Sequence, residues 1–208
     1  MRVLVLGPSD SALVRVLADA GGEVTTAAGP LDLAMVVRDQ PDWIVSYGYR
    51  HLVRPGVLGA FPERVLNLHI SALPWNRGAD PNFWSWLDGT PKGVTLHHMD
   101  AGMDTGNIID QRHVPMGPRE TLASSYARLH NAALDLFRDA WPLVRAGDTA
   151  RSVQPPGGSY HRMRDKAPFA HLLTHGWDTP VAALEACGAA MRQRVRAGGV
   201  AAAVSGDT

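Results

Sequence analysis

The first apolar run, Val3-Leu4-Val5-Leu6, is short and unbroken and ends on Gly7-Pro8. A run of that length, closed by turn formers, predicts a strand covered on both faces. Ser9, Asp10 and Ser11 follow, each a good helix cap. Leu13, Val16, Leu17 and Ala20 then recur at helical spacing until Gly21-Gly22. A second strand is expected over 23–26, a short helix over 31–37, and a third strand where Trp43-Ile44-Val45-Ser46 repeats the opening pattern. Strand and helix alternate, so the fold class is α/β, with a mostly parallel sheet flanked by helices.

The pattern continues through a short helix or turn over 55–60, a strand over 65–70 and a loop over 73–78 containing Pro74 and Gly78. Pro81 opens a helix carrying Trp84 and Trp86. Strands over 94–99 and 108–114 enclose a loop over 100–107. Thr121 caps a long helix whose stripe Leu122, Tyr126, Leu129, Ala133 and Leu136 is expected to face the core, with Pro142 marking its end. Residues 151–166 are polar, with Pro and Gly. A last helix is expected over 181–195, and the small, polar residues 198–208 should fray. No internal repeat is visible.

Composition narrows the classes. The chain has 208 residues, 45% hydrophobic and 19% charged, and 20 basic residues balance 20 acidic ones. Nothing global favours wrapping nucleic acid or lying on an anionic membrane. Cys187 is the only cysteine, which excludes an intrachain disulfide and a cysteine zinc cluster. No apolar run approaches the roughly 18 residues of a membrane span, no leader is evident, and a cytoplasmic location is expected. The nine histidines are scattered without an HExxH spacing, so no metal is expected. His97 and His98 are adjacent and would face opposite sides of a strand. His113, His130, His171 and His175 read as surface or packing residues.

Two polar residues interrupt the strand Val65-Leu66-Asn67-Leu68-His69-Ile70. Side chains alternate along a strand, so Asn67 and His69 share one face. An amide and an imidazole thus project from the carboxyl end of a parallel strand, where α/β sheets bind ligands. The competing reading is two polar groups that merely satisfy each other.

The segment around them carries further motifs: Asn67-x-His69-x-Ser71-x-Leu73-Pro74, then Arg77-Gly78 with Pro81 and Trp84, then Gly93-Val94-Thr95-x-His97, then Gly102-x-Asp104-x-Gly106. In this order and spacing they resemble the folate-dependent formyltransferase superfamily: the glycinamide ribonucleotide, methionyl-tRNA and sugar N-formyltransferases. The likeness is strong over residues 40–115 and looser before them. It implies a Rossmann-like catalytic domain over residues 1–150, with 151–208 as a loop-and-helix extension packed on it.

The resemblance implies a catalytic trio of Asn67, His69 and Asp104 and N10-formyltetrahydrofolate as co-substrate. A primary amine would attack the formyl carbon. Asn67 would donate to the oxyanion. His69 would either help there when protonated or take the amine proton when neutral. Asp104 would accept from His69 and relay a proton through water. The pterin would lie between residues 47–53 and 99–104, which makes Tyr49, Arg50, His51, Leu52, Val53, Met99, Gly102 and Met103 the donor-binding candidates. Arg50 or His51 would meet the glutamate tail, or stay a solvated charge.

The partner is expected to be a small-molecule amine, with no nucleic acid or membrane and a homodimer left open. A methionyl-tRNA enzyme would carry an RNA-binding domain, for which the roughly sixty residues after Ala146 show no basic patch. A phosphate cradle at Gly7-Pro8-Ser9-Asp10-Ser11 would lack the Pro8 N–H and face Asp10, so Asp10 reads as a helix cap. The loop Pro74-Trp75-Asn76-Arg77-Gly78 and the run Asn82-Phe83-Trp84-Ser85-Trp86 most resemble enzymes acting on dTDP- or GDP-linked 4-amino-4,6-dideoxy sugars, and the stretch over 157–166 fits the same likeness. Ser71, Trp75, Arg77, Gly78, Tyr160 and His161 are the acceptor candidates. Arg162, Arg164 and Lys166 would meet a diphosphate, or form a solvated basic loop. Trp75, Trp84 and Trp86 also read as packing. Glycinamide ribonucleotide and an amino-acid-derived amine are the alternative acceptors.

Overall fold

The computed structural model describes residues 1–204, with side chains through Ala197. Its main sheet holds β1 (Arg2–Leu6), β2 (Glu23–Ala27), β3 (Trp43–Ser46), β4 (Val65–His69), β6 (Gly93–His98) and β7 (Ile108–His113) in the order β2-β1-β3-β4-β6-β7. A two-stranded sheet pairs β5 (Arg77–Gly78) with β8 (Tyr160–His161). The first four strands of the main sheet are parallel; β6 and β7 run antiparallel. The helices are α1 (Ala12–Asp19), α2 (Leu33–Asp39), α3 (Pro55–Ala60), α4 (Pro81–Leu87), α5 (Leu122–Ala146) and α6 (Val181–Val204).

Strand alternation sorts the core into two faces. Val3, Val5, Val45, Leu66, Leu68, Val94 and Leu96 pack under α1 and α5. Leu4, Leu6, Ile44 and Val65 pack under α2 and α3 with Val36, Val57 and Phe61. A third cluster joins α4 to the start of α6 through Phe83, Trp84, Trp86, Leu87, Val181 and Leu184. Trp84 and Trp86 are therefore packing residues, each 4% exposed. No helix among the described residues is long and apolar enough to cross a membrane.

Four local expectations change. Ser11, not Asp10, caps α1 by accepting from the Leu13 N–H at 3.3 Å. α5 runs through Pro142 to Ala146 and ends at Gly147, whose φ is 73°. The bond lost at Pro142 is outweighed because Trp141 and Val144 are buried beside it. Tyr126 leaves the core stripe at 37% exposure, and Ser125 is buried instead, bonded to Asn82 and Trp86. α6 continues past Gly198, inside the expected frayed tail; residues 205–208 lie outside the described ones.

Candidate active site

β4 presents Asn67 and His69 on the α3 face, as alternation requires, and both are buried. The antiparallel register of β4 with β6 sets His97 directly opposite Asn67 and Thr95 opposite His69. Asp104 arrives from the loop between β6 and β7 with its backbone in the left-handed region, φ 53°. The loop can lie this close because position 106 is glycine: a Cβ there would sit 1.9 Å from the His98 carbonyl oxygen.

The Asn67 Nδ2 donates to Asp104 Oδ1 at 3.1 Å and meets His97 Nε2 at 3.2 Å. The Gly78 N–H donates to Asp104 Oδ2 at 2.7 Å. His69 Nε2 and His97 Nε2 each stand 3.8 Å from the carboxylate. His69 Nε2 lies 3.1 Å from the Asn76 carbonyl, which can only accept, so this nitrogen carries a proton. His97 Nδ1 likewise donates to the His98 carbonyl at 2.8 Å. The ring nitrogens that face Asp104 are thus already engaged.

Electrostatics follow from this packing. Burial pushes the His97 imidazole down to about 4, against the pull of Asp104. Burial pushes the Asp104 carboxyl up, but His69, His97, the Gly78 amide and the Asn67 amide together outweigh it, and the carboxyl lies below its usual range. The site is a charged carboxylate ringed by donors, beside a neutral His97.

Sequence reasoning left three contributors without a role. His97 was visible in its motif, but its place opposite Asn67 depends on an antiparallel register. Gln154 Nε2 donates to the Asp104 and Gly106 carbonyls at 2.8 and 2.9 Å. Ser159 accepts from the Asn76 N–H at 2.9 Å and donates to Asn76 Oδ1 at 3.1 Å. Nothing local in the sequence signals those last two.

The remaining candidates divide. Tyr49 and Met99 pack against the α2–α3 core cluster, which brings the 47–53 segment to the 99–104 loop. The Tyr49 hydroxyl donates to the Gly29 carbonyl at 2.8 Å, and His51 lies edge-on to the Tyr49 ring. Val53 is core, whereas Leu52 and Met103 are exposed. The Gly102 N–H is held by Asp100 at 3.0 Å. Ser71 is buried and donates to the Trp75 carbonyl at 2.8 Å, while the Trp75 ring stays partly exposed. Arg77 and Gly78 form β5 against Tyr160 and His161. The His161 ring stacks on Trp84 at 3.8 Å and 4°, and its Nε2 meets Asp88 at 2.7 Å. Lys166 pairs with Asp80 at 2.7 Å, and Arg162 lies over the Tyr160 ring.

The formyl transferase family model matches residues 26–140, more than half of the chain, and spans every element of this cluster before Gln154. The chain belongs to the formyl transferase family. Its fold superposes on the formyltransferase PseJ from Anoxybacillus kamchatkensis with a TM-score of 0.86 and 45% identity, covering 90% of this chain and 100% of that one. That structure was solved with UDP-4,6-dideoxy-4-formamido-L-AltNAc and tetrahydrofolate. A 4-N formyltransferase from Francisella tularensis shares the fold at a TM-score of 0.70 with 20% identity, over 79% of this chain and 77% of that one. Methionyl-tRNA formyltransferase from Syntrophus aciditrophicus (strain SB) is 36% identical over 126 residues, 60% of this chain. This family member spans 40% of the length of that relative.

Proposed function

We propose that the chain transfers a formyl group from N10-formyltetrahydrofolate to the primary amine of a nucleotide-linked amino sugar, with Asn67, His69 and Asp104 as the catalytic residues. The observation that carries the reaction is the cluster itself: a buried carboxylate, an amide and a protonated ring nitrogen converge at the carboxyl end of β4 in a formyl transferase family member. The acceptor class rests on the 45% identity to a structure solved with a formylated UDP-sugar.

In this reading the amine nitrogen bonds to the formyl carbon and the carbonyl oxygen becomes an oxyanion. The C–N10 bond then breaks, and one proton passes from the attacking nitrogen to N10. Both Nδ2 hydrogens of Asn67 are engaged, on His97 and Asp104. Asn67 therefore reaches the oxyanion by exchanging its Asp104 bond for it. His69 holds its proton on Nε2 and turns that N–H from the Asn76 carbonyl to the same oxygen. This assigns His69 to charge stabilisation. Asp104, kept ionised by its donors, accepts the ammonium proton directly or through water. Tyr49, Met99 and the 99–104 loop would line the pterin side.

The test is a panel of amines incubated with 10-formyltetrahydrofolate, following tetrahydrofolate release. Turnover is expected with a UDP- or dTDP-linked 4-amino sugar and none with glycinamide ribonucleotide or free amino acids. Asp104→Ala should still bind folate but lose about a hundredfold or more in turnover. Undiminished turnover in that variant would remove Asp104 from the mechanism.

A further inference from the structure

The main sheet opens between β1 and β3. α1, which follows β1, packs on one face; α3, which follows β3, packs on the other. Ligands of α/β sheets sit at such reversals. Asn67 and His69 occupy the α3 side. The α5 side of the same edge carries an aromatic cluster that the mechanism does not use.

Tyr47 immediately follows β3, and its hydroxyl is bonded to His130 Nδ1 on α5. Tyr126, one turn earlier on α5, lies over the His130 ring at 4.0 Å. Trp177 meets the Tyr126 ring edge-on at 5.0 Å and 62°. Trp177 sits in a 3-10 turn, Gly176–Asp178, that is held on its amino side by the Gly176 N–H, which donates to the Leu173 carbonyl at 2.9 Å, and on its carboxyl side by Thr179. Thr179 donates its hydroxyl to the Gly176 carbonyl at 2.7 Å, and its carbonyl accepts from the Leu122 N–H at 3.1 Å. An indole that is 58% exposed is thus held open on a fastened turn. The other ring nitrogen of His130 is sealed from solvent and has no partner among the described residues. Burial raises the Tyr126 hydroxyl, with Arg50 opposing and Asp80 adding to the shift. Through His130, Tyr126 is joined to Tyr47 at the carboxyl end of β3.

We propose that Trp177 and Tyr126 form the platform for the base of the nucleotide-linked acceptor, with the planar base stacked on the Trp177 face and Tyr126 at its edge. The proposal rests on the acceptor class given above. The ring of His161, one of the acceptor candidates, is stacked on Trp84. Every base has an extended π face, and an exposed indole on a fixed backbone gives stacking at a reduced ordering cost.

The experiment measures initial rates with a UDP-linked 4-amino sugar, and inhibition by UDP, for wild type, Trp177→Ala and Trp177→Phe. Trp177→Ala is expected to raise the acceptor KM and the UDP inhibition constant together, by about tenfold or more. The KM for 10-formyltetrahydrofolate and kcat should stay within about threefold, and Trp177→Phe should recover most of the loss. Unchanged acceptor KM and UDP inhibition in Trp177→Ala overturn the platform while leaving the transfer reaction standing. So does a loss of kcat and of both KM values together, which marks a folding role. If wild type transfers to no nucleotide-linked amine, the acceptor reading fails; calorimetric UDP binding that is lost in Trp177→Ala would then still support the platform. Absence of UDP binding to wild type would end both.

Discussion

The amide of Asn67 has its orientation imposed by its neighbours. His97 gives its Nδ1 proton to the His98 carbonyl, and burial keeps the ring neutral, so its Nε2 lone pair must meet a donor. The carboxylate of Asp104 demands a donor as well. Only the Nδ2 side of Asn67 satisfies both. The same neutrality has a pH signature. The folded His97 lies at about 4, below the 6.5 of a free imidazole, so the unfolded chain binds more protons between those values. Stability is full above about 6.5 and falls as pH drops toward 4, with His130, also at about 4, acting in the same direction. Urea midpoints should therefore drop between pH 7 and pH 5 in wild type and drop less in His97→Gln; identical drops would show that His97 is not the cause. Much of this was legible beforehand. Asn67 and His69 follow from alternation in one strand, whereas Asp104 was placed by resemblance alone. The role of His97 stayed hidden because it comes from an opposite strand whose direction no pattern in the sequence encodes.

At the scale of elements, the segment from Ser152 to His161 works as a strap. Ser152 exchanges both backbone bonds with Ile108 at the start of β7. Gln154 then holds the Asp104 loop, Ser159 holds Asn76, and β8 pairs with β5. Asn76 and Asp104 both have left-handed backbones, φ 56° and 53°, a conformation costing about 1–2 kcal/mol per L-residue that the strap helps offset. Gln154→Ala should lower kcat by about tenfold through a looser Asp104, with an unfolding cost of only about 1 kcal/mol. Steady-state kinetics and a urea melt check it, and an unchanged kcat would show that the loop holds itself. The strands and helices of the chain were readable from apolar spacing. The strap was not: residues 151–166 are polar and lack a period, and their order comes from bonds to residues 44 to 88 positions earlier. Pro142 misled for a related reason, since its local penalty is real but Trp141 and Val144 decide the helix by packing.

Taken as a whole molecule, the chain covers its sheet from both sides and then uses residues after 150 to close the active edge. Leu184 is fully buried against the aromatic face of α4. Leu184→Ala should cost about 2–5 kcal/mol, read as a lowered urea midpoint. The loss should also raise the exposure of Trp84 and Trp86, visible as a red-shifted tryptophan emission. An unshifted spectrum would mean that α4 keeps its cover without Leu184.

The strap has one consequence in time. Chains fold from the amino end as they leave the ribosome. β1 to β4 and the Asn67–His69 pair are complete before residue 70 is followed by anything else. Asp104 gains Gln154 only fifty residues later, and Asn76 gains Ser159 later still. A nascent chain thus owns its Asn67–His69 pair well before its carboxylate is fastened, and these contacts are complete only once residue 159 has emerged.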